Sequence, residues 1–438
     1  MNKSKRIIIF LIASMVTPAL QLAAQTFYHT GNEEPVETNH LPGLVLAGGA
    51  TDNNDAMKWM LERADGGDVV VLRASGSDGY NNYFYSQLGV EINSVTSIVI
   101  TSSEQANNEE VVQIVNNAEV IFIAGGDQWN YVNHWRDTQL LATLNSLINE
   151  KQITIGGTSA GMAVLGEVVF TAENGTVWSS EALGNPYHWR VKVEKDFLEV
   201  PFMQNTVTDS HYNRIQGGTD RKGRHVTFMA RMIADWDMPA RGIAANEYTA
   251  IAVDETGKAR VFGHPSYSDY GYFLQKHGGP PEVCEEGEPL TWYQDKQAVM
   301  VYKVKGDFQG SGWFDIDNWE DGEGGEWEYW WVTDGVLYQV DDEDNTSAGD
   351  LQPASFSLEL YPNPASEYLT ASITNAETTL TLNLRAPDGT LLKTMPVHPG
   401  ARQEINLSVE GLPAGLYFLE LTDRRKRVVK QWVKQGWQ

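Results

Sequence analysis

The chain has 438 residues, enough for more than one domain, and its 42% hydrophobic side chains can fill a sizeable core. With 58 acidic against 32 basic residues its formal net charge is −26, which argues against nucleic acid as a partner and favours solubility or a basic substrate. A lone cysteine, Cys284, rules out an internal disulfide framework, and the acidic Glu282, Glu285 and Glu286 around it disfavour a thiolate nucleophile.

Lys3, Lys5 and Arg6 precede an apolar run over residues 7–16, with small residues at Ala23 and Ala24. This pattern predicts a Sec signal peptide over residues 1–24 and is too short for a comfortable membrane span. Residues 27–344 read as the catalytic unit, with a core at 41–263. There, continuous apolar runs at 43–47, 68–72, 97–100, 120–124 and 153–155 alternate with amphipathic stretches such as 54–63 and 139–148. Runs of that kind suit strands buried on both faces, and strand–helix alternation predicts a three-layer α/β/α sandwich. In such sheets sites form at the carboxyl ends of strands, where the pairs Gly48-Gly49, Gly125-Gly126 and Gly156-Gly157 stand.

Residues 283–344 are dense in tryptophan and tyrosine, and no basic residue occurs between Lys305 and Arg385. They read as a β-rich acidic extension. Trp327, Tyr329, Trp330 and Trp331 suit a β-core or a lid over the site, with a sugar platform as the alternative. Asp317, Asp321, Gly322 and Glu328 match a calcium-loop template incompletely, because Trp319 at its third position cannot ligate. Residues 345–355 read as a linker, and the alternating segments of 356–438, separated by turns, predict a small β-sandwich.

The chemistry centres on Gly157-Thr158-Ser159-Ala160-Gly161, where an apolar strand runs into a turn and then a helical run. Small residues let such a turn lift the serine hydroxyl above the sheet. The amide of Ala160 then stands where an oxyanion would form, aided by the start of the next helix. A second oxyanion donor is expected from Ala124-Gly125-Gly126-Asp127-Gln128 at a neighbouring strand end. The serine needs a base. Among nine histidines His211 follows a β-branched strand end, with His225 as runner-up. Glu247 and Asn246, between two apolar strands, are candidates to orient the imidazole, with a hairpin-tip glutamate as the bland reading.

These motifs, with Asp209-Ser210-His211-Tyr212, Arg221-Lys222-Gly223-Arg224 and Asn246-Glu247-Tyr248-Thr249-Ala250, resemble the cyanophycinase and dipeptidase E family of serine peptidases. The resemblance implies a fold like class I glutamine amidotransferases, with Ser159 as nucleophile, His211 as general base and Glu247 as its partner. It implies oxyanion donors at Gly126 and Ala160, substrate contacts from Asp127, Gln128, Arg221 and Arg224, no cofactor or metal, and a homodimer as a common assembly. The chain order Ser, His, Glu differs from that of ordinary α/β-hydrolases. Cyanophycinases release β-aspartyl-arginine units from an arginine-decorated polyaspartate, and a negative pocket is expected for the guanidinium. The sequence departs from the family at Asn246, at Tyr212 and at Gln216-Gly217-Gly218-Thr219, changes expected to touch the pocket.

Tyr361-Pro362-Asn363-Pro364-Ala365, the run from Gly411 to Leu419 and the basic end from Arg424 to Lys434 resemble a type IX secretion sorting domain of the Bacteroidetes. That likeness implies export through the type IX secretion machinery. The combined expectation is a secreted serine exopeptidase acting through an acyl-enzyme on a peptide or an arginine/aspartate polymer. The alternatives are an aspartyl dipeptidase and a catalytically inactive surface binding protein.

Overall fold

A computed structural model describes residues 25–216, 218–341, 356–376, 379–386, 391–422 and 427–435. The signal peptide expected at 1–24 and the linker expected at 345–355 lie outside the described residues, as do Gly217 and Arg424–Lys426.

The apolar runs become β1 (Thr26–Gly31), β2 (Gly43–Ala47), β3 (Asp68–Arg73), β4 (Ser94–Val99), β5 (Val120–Ile123) and β6 (Thr154–Thr158). Strands β2 to β6 are mutually parallel where they pair, in the order β4-β3-β5-β6-β2. One face of this sheet packs against helix α1 (Asn54–Glu62), which buries Met57, Met60 and Leu61 beneath an N-cap formed by Asn53. The opposite face packs against α3 (Glu109–Asn116), α4 (Gln128–Trp135) and α5 (Gln139–Ser146), with Trp135, Leu140 and Leu144 buried, giving the expected three layers. The short α2 (Ser103–Ala106) joins this side.

Strand β6 runs three residues further than the hydrophobic pattern implied, through both glycines to Thr158. A Cβ on Gly157 would overlap the backbone of Gly161 in α6 (Ala160–Ala163), so the strand needs glycine to let the chain fold back over it.

After the ribbon of β7 (Val169–Phe170) and β8 (Val193–Glu194) and helix α7 (Ser179–Gly184), a second sheet begins with β9 (Thr206–Asp209), helix α8 (Lys222–Trp236) and β10 (Arg241–Ala245). β9 and β10 are parallel. The chain then crosses back: β11 (Ala250–Val253) pairs antiparallel with β2, and β12 (Lys258–Phe262) with β11. Glu247 therefore lies on a crossover between two sheets and not at a hairpin tip.

β13 (Tyr270–Lys276), β14 (Val299–Lys305), β17 (Gly325–Thr333) and β18 (Val336–Asp341) complete the second sheet, while β15 (Trp313–Asp315) and β16 (Gly322–Glu323) lengthen the first. The aromatic segment is thus woven into both sheets. Trp330 and Val332 are fully buried in the cluster that also holds α8 residues Phe228 and Met229, which makes this segment core and not a lid. Glu328 is taken by Lys303 Nζ at 2.8 Å and Trp330 Nε1 at 2.7 Å, so the incomplete calcium template loses a further ligand. Burial, opposed by Arg231 and aided by Asp235, pushes the Cys284 thiol up to about 11.

At the C-terminal end β19 (Ser357–Tyr361), β20 (Tyr368–Ala376) and β23 (Gly400–Ser408) form one sheet. β21 (Leu380–Arg385), β22 (Leu391–Val397), β24 (Gly415–Thr422) and β25 (Arg427–Lys434) form another. Leu358, Ile373, Leu382, Leu419 and Trp432 fill the space between them, as expected of a sandwich.

Candidate active site

Five chain segments converge at the carboxyl ends of β2, β5, β6, β9 and β10. Backbone hydrogen bonds lock them together: Ser159 N–H to Ala47 O at 3.0 Å, His211 N–H to Gly48 O at 2.6 Å, and Tyr248 N–H to Gly49 O at 3.0 Å. Asn213 Oδ1 accepts from the amide of Glu247 at 2.9 Å.

Ser159 adopts φ 55° and ψ −111°, and His211 adopts φ 47°. Such conformations cost a side-chain-bearing residue about 1–3 kcal/mol and persist only where surrounding structure enforces them. The result is a hydrogen-bonded line. Ser159 Oγ lies 2.8 Å from His211 Nε2, and His211 Nδ1 lies 2.7 Å from Glu247 Oε1. His211 and Glu247 are largely covered, with side chains 13% and 24% exposed, so their pairing is little diluted by solvent. Burial holds the His211 imidazole below its ordinary value; the Glu247 hydrogen bond pulls the other way, and Arg221 and Arg214 add to the lowering. A neutral imidazole at neutral pH is the form that can accept a proton.

Ser159 and His211 border a cavity of about 280 Å³ that also contains Gly126, Ala160, Asp127, Gln128, Arg221 and Arg224. All nine residues singled out from the sequence thus meet around one space, directly or through the His211–Glu247 bond. Their tasks differ, however. Asp127 caps α4 by accepting from the Trp129 amide at 3.0 Å, and Gln128 Nε2 donates to Phe170 O at 3.3 Å. Arg224 is buried and forks onto Asp209, Nε to Oδ2 at 2.8 Å and Nη2 to Oδ1 at 2.5 Å, while Nη1 reaches Thr176 Oγ1 at 2.8 Å. Arg221 Nη1 donates to Ser210 O at 2.9 Å, and burial beside Arg224 brings its guanidinium down to about 10. Burial alone would raise the Asp209 carboxyl; Arg224, with Arg221 behind it, overrides this and holds it below the usual range.

Three expectations need correcting. The cavity is not negative: Arg214, Arg221 and Arg224 face Asp127 and Asp209, and Asp209 is consumed by Arg224. It suits an anionic group better than a guanidinium. Helix α6 spans only four residues, so its macrodipole adds little at Ser159. The departures at Tyr212 and Asn246 do not line the cavity. The Tyr212 hydroxyl meets His225 Nδ1 at 3.1 Å, and Asn246 Nδ2 donates to Ser268 O at 2.7 Å. Those contacts also occupy His225, whose Nε2 meets Val207 O at 3.1 Å, leaving His211 as the histidine at the serine.

Residues 44–186 match the family described as Peptidase family S51, a span that holds Ser159, Gly126, Gln128 and Ala160. A cyanophycinase from Synechococcus elongatus is 29% identical over 300 residues, 65% of this chain and 83% of that protein. One from Nostoc sp. is 23% identical over 219 residues, 50% of this chain and 66% of that protein. These likenesses support a serine peptidase, with residues 44–186 similar to family S51. Among solved structures, a peptidase from an acI-B1 Actinobacterium aligns at 17% identity and a TM-score of 0.39, over 53% of this chain and 93% of that one. Residues 359–435 match the secretion system C-terminal sorting domain, which marks this peptidase for export by the type IX machinery.

Within this peptidase, sequence reasoning passed over Asp209, Thr176, Phe170 and Arg214 as cavity residues. Asp209 stood inside a quoted motif; an acidic residue two positions before the base was its only signal. Thr176 and Phe170 carry no local signal, because the fold brings them in from β7 and the loop after it.

Proposed function

We propose that this chain is an exported exopeptidase for aspartyl peptides, β-aspartyl-arginine units among them, acting through an acyl-enzyme on Ser159. The observation that carries the reading is the Ser159–His211–Glu247 line opening directly onto a cavity with arginines on its wall. An aspartyl carboxylate is the group such a wall would hold.

His211 Nε2 takes the Ser159 proton as Oγ bonds to the scissile carbonyl carbon. Glu247 keeps the imidazole oriented and stabilises the imidazolium. Gly126 and Ala160 amides bind the oxyanion, each worth about 10²–10³ in rate. The carbon–nitrogen bond then breaks as His211 returns the proton to the leaving amine, and water, deprotonated by His211, releases the acid. No step needs a metal or cofactor.

The test is product analysis after incubating the purified protein with cyanophycin, with α-aspartyl dipeptides, and with matched peptides lacking aspartate. Release of β-aspartyl-arginine or of amino acids from the aspartyl substrates alone supports the reading. Cleavage indifferent to aspartate overturns it. Cleavage of the dipeptides without cyanophycin would favour the aspartyl dipeptidase form.

A further inference from the structure

A second cavity, about 370 Å³, lies against the same reacting pair, lined by Gly49, Ala50, Arg73, Tyr80, Gly125 and Thr158 among others. It shares only Ser159 and His211 with the first. An acyl-transfer site has two sides, one for the acyl portion and one for the leaving amine. The amine must stand within reach of the imidazole that returns its proton. Gly126 and Ala160, the proposed oxyanion donors, border the first cavity, which puts the acyl portion there and the leaving portion in the second.

This second space has its own cation. Arg73 ends β3, and its guanidinium is tied down by the loop that follows: Nε donates to Ser75 O at 2.6 Å and Nη1 to Ser77 O at 2.5 Å. Gly76 makes the wrap feasible, with φ +87° and no room for a Cβ beside Arg73 Nη2. Among the described residues Arg73 forms no ion pair with a carboxylate, and Nη2 remains for a ligand. Tyr80, packed on Phe84 and Phe122 with ring centroids 5.2 and 5.0 Å away, donates its hydroxyl proton to Asp52 Oδ2 at 2.7 Å. Its oxygen therefore keeps a lone pair to accept an N–H. The pinned guanidinium beside the scissile bond can hold a carboxylate, and the Tyr80 oxygen can accept an N–H of the same departing residue.

We propose that this second cavity is the leaving-side subsite and that Arg73 there binds a carboxylate of the departing residue, making Arg73 a specificity-determining residue. The inference rests on the peptidase reading of Ser159. The carboxylate has two sources, the chain's C-terminal carboxylate or an acidic side chain on the departing residue.

Steady-state kinetics on four substrates separate them: Asp-Ala with a free carboxyl terminus, Asp-Ala amide, Asp-Asp amide, and aspartyl p-nitroanilide, whose leaving group has no carboxylate. Wild type, Arg73→Gln and Arg73→Lys are compared, with circular dichroism as the folding control. The expected result is that wild type prefers a carboxylate-bearing leaving group over Asp-Ala amide by about ten- to a hundredfold in kcat/KM. Arg73→Gln loses that preference while cleaving the anilide like wild type, and Arg73→Lys keeps part of it. Preference for free Asp-Ala alone assigns the terminal carboxylate, preference for Asp-Asp amide alone assigns the side chain, and preference for both means that Arg73 takes either. Equal cleavage of all four by wild type, or an equal fall on the anilide in Arg73→Gln, overturns the subsite. No turnover of any substrate by wild type overturns the aspartyl reading itself, and the subsite with it.

Discussion

Gly49 and His211 compete for the same space: a Cβ on Gly49 would overlap His211 Nε2 and Cε1, 2.4 and 2.6 Å away, and Gly49 itself sits at φ +94°. The absence of a side chain at position 49 is thus what allows the imidazole to reach Ser159. Gly49→Ala must displace the ring. The expected outcome is a fall in kcat of about 10²-fold or more, with the circular dichroism spectrum unchanged. Activity equal to wild type would mean the ring has another way to reach the serine.

Glu247→Gln leaves a hydrogen-bonding group beside His211 Nδ1 but removes the charge that stabilises the imidazolium. By analogy with other triads the rate should fall by about 10⁴-fold, with KM little changed. Rapid-quench or steady-state kinetics decide this.

The pH dependence follows from the direction of the His211 shift. Its value is held below 6.5, chiefly by burial, so the neutral base is already formed at mildly acid pH. The profile of kcat/KM should rise with pH through a midpoint below 6.5 and then level off. Because the Glu247 hydrogen bond raises the His211 value, Glu247→Gln should move the midpoint further toward acid. A midpoint above 6.5 would contradict the burial seen here.

The Asp209–Arg224 pair is a structural support under the cavity. Removing one partner strands the other charge in the interior, so Arg224→Met should cost about 3–5 kcal/mol in chemical denaturation. Arg224→Met combined with Asp209→Leu should recover much of it. The Asp209 carboxyl is held below its ordinary 3.8 in the folded protein. Its contribution to stability is therefore complete above that value and is lost as pH falls through the lower folded-state value.

Much of this was legible in the sequence, and the reasons differ by element. The parallel strands β2, β3 and β5 announced themselves because strands buried on both faces are apolar at every position. Ser159 was legible because a strained turn needs small neighbours, and Gly157 and Gly161 stand against each other there. The acidic aromatic segment was legible as β-structure but not as part of both sheets, since pairing partners such as β14 with β17 leave no mark on local pattern. The negative pocket expected with the family resemblance is absent, because Arg214, Arg221 and Arg224 are gathered there by tertiary folding and leave no mark on local sequence. Arg73 lay hidden for the same reason: nothing in its sequence neighbourhood places it across from the first cavity.

Fluorophosphonate labelling of the purified protein, with the adduct located by peptide mass spectrometry, tests Ser159 as the nucleophile most directly. One stoichiometric adduct is expected on Ser159, absent from Ser159→Ala and slowed in Glu247→Gln. Failure of the wild type to label, or a label on any other residue, would contradict that role.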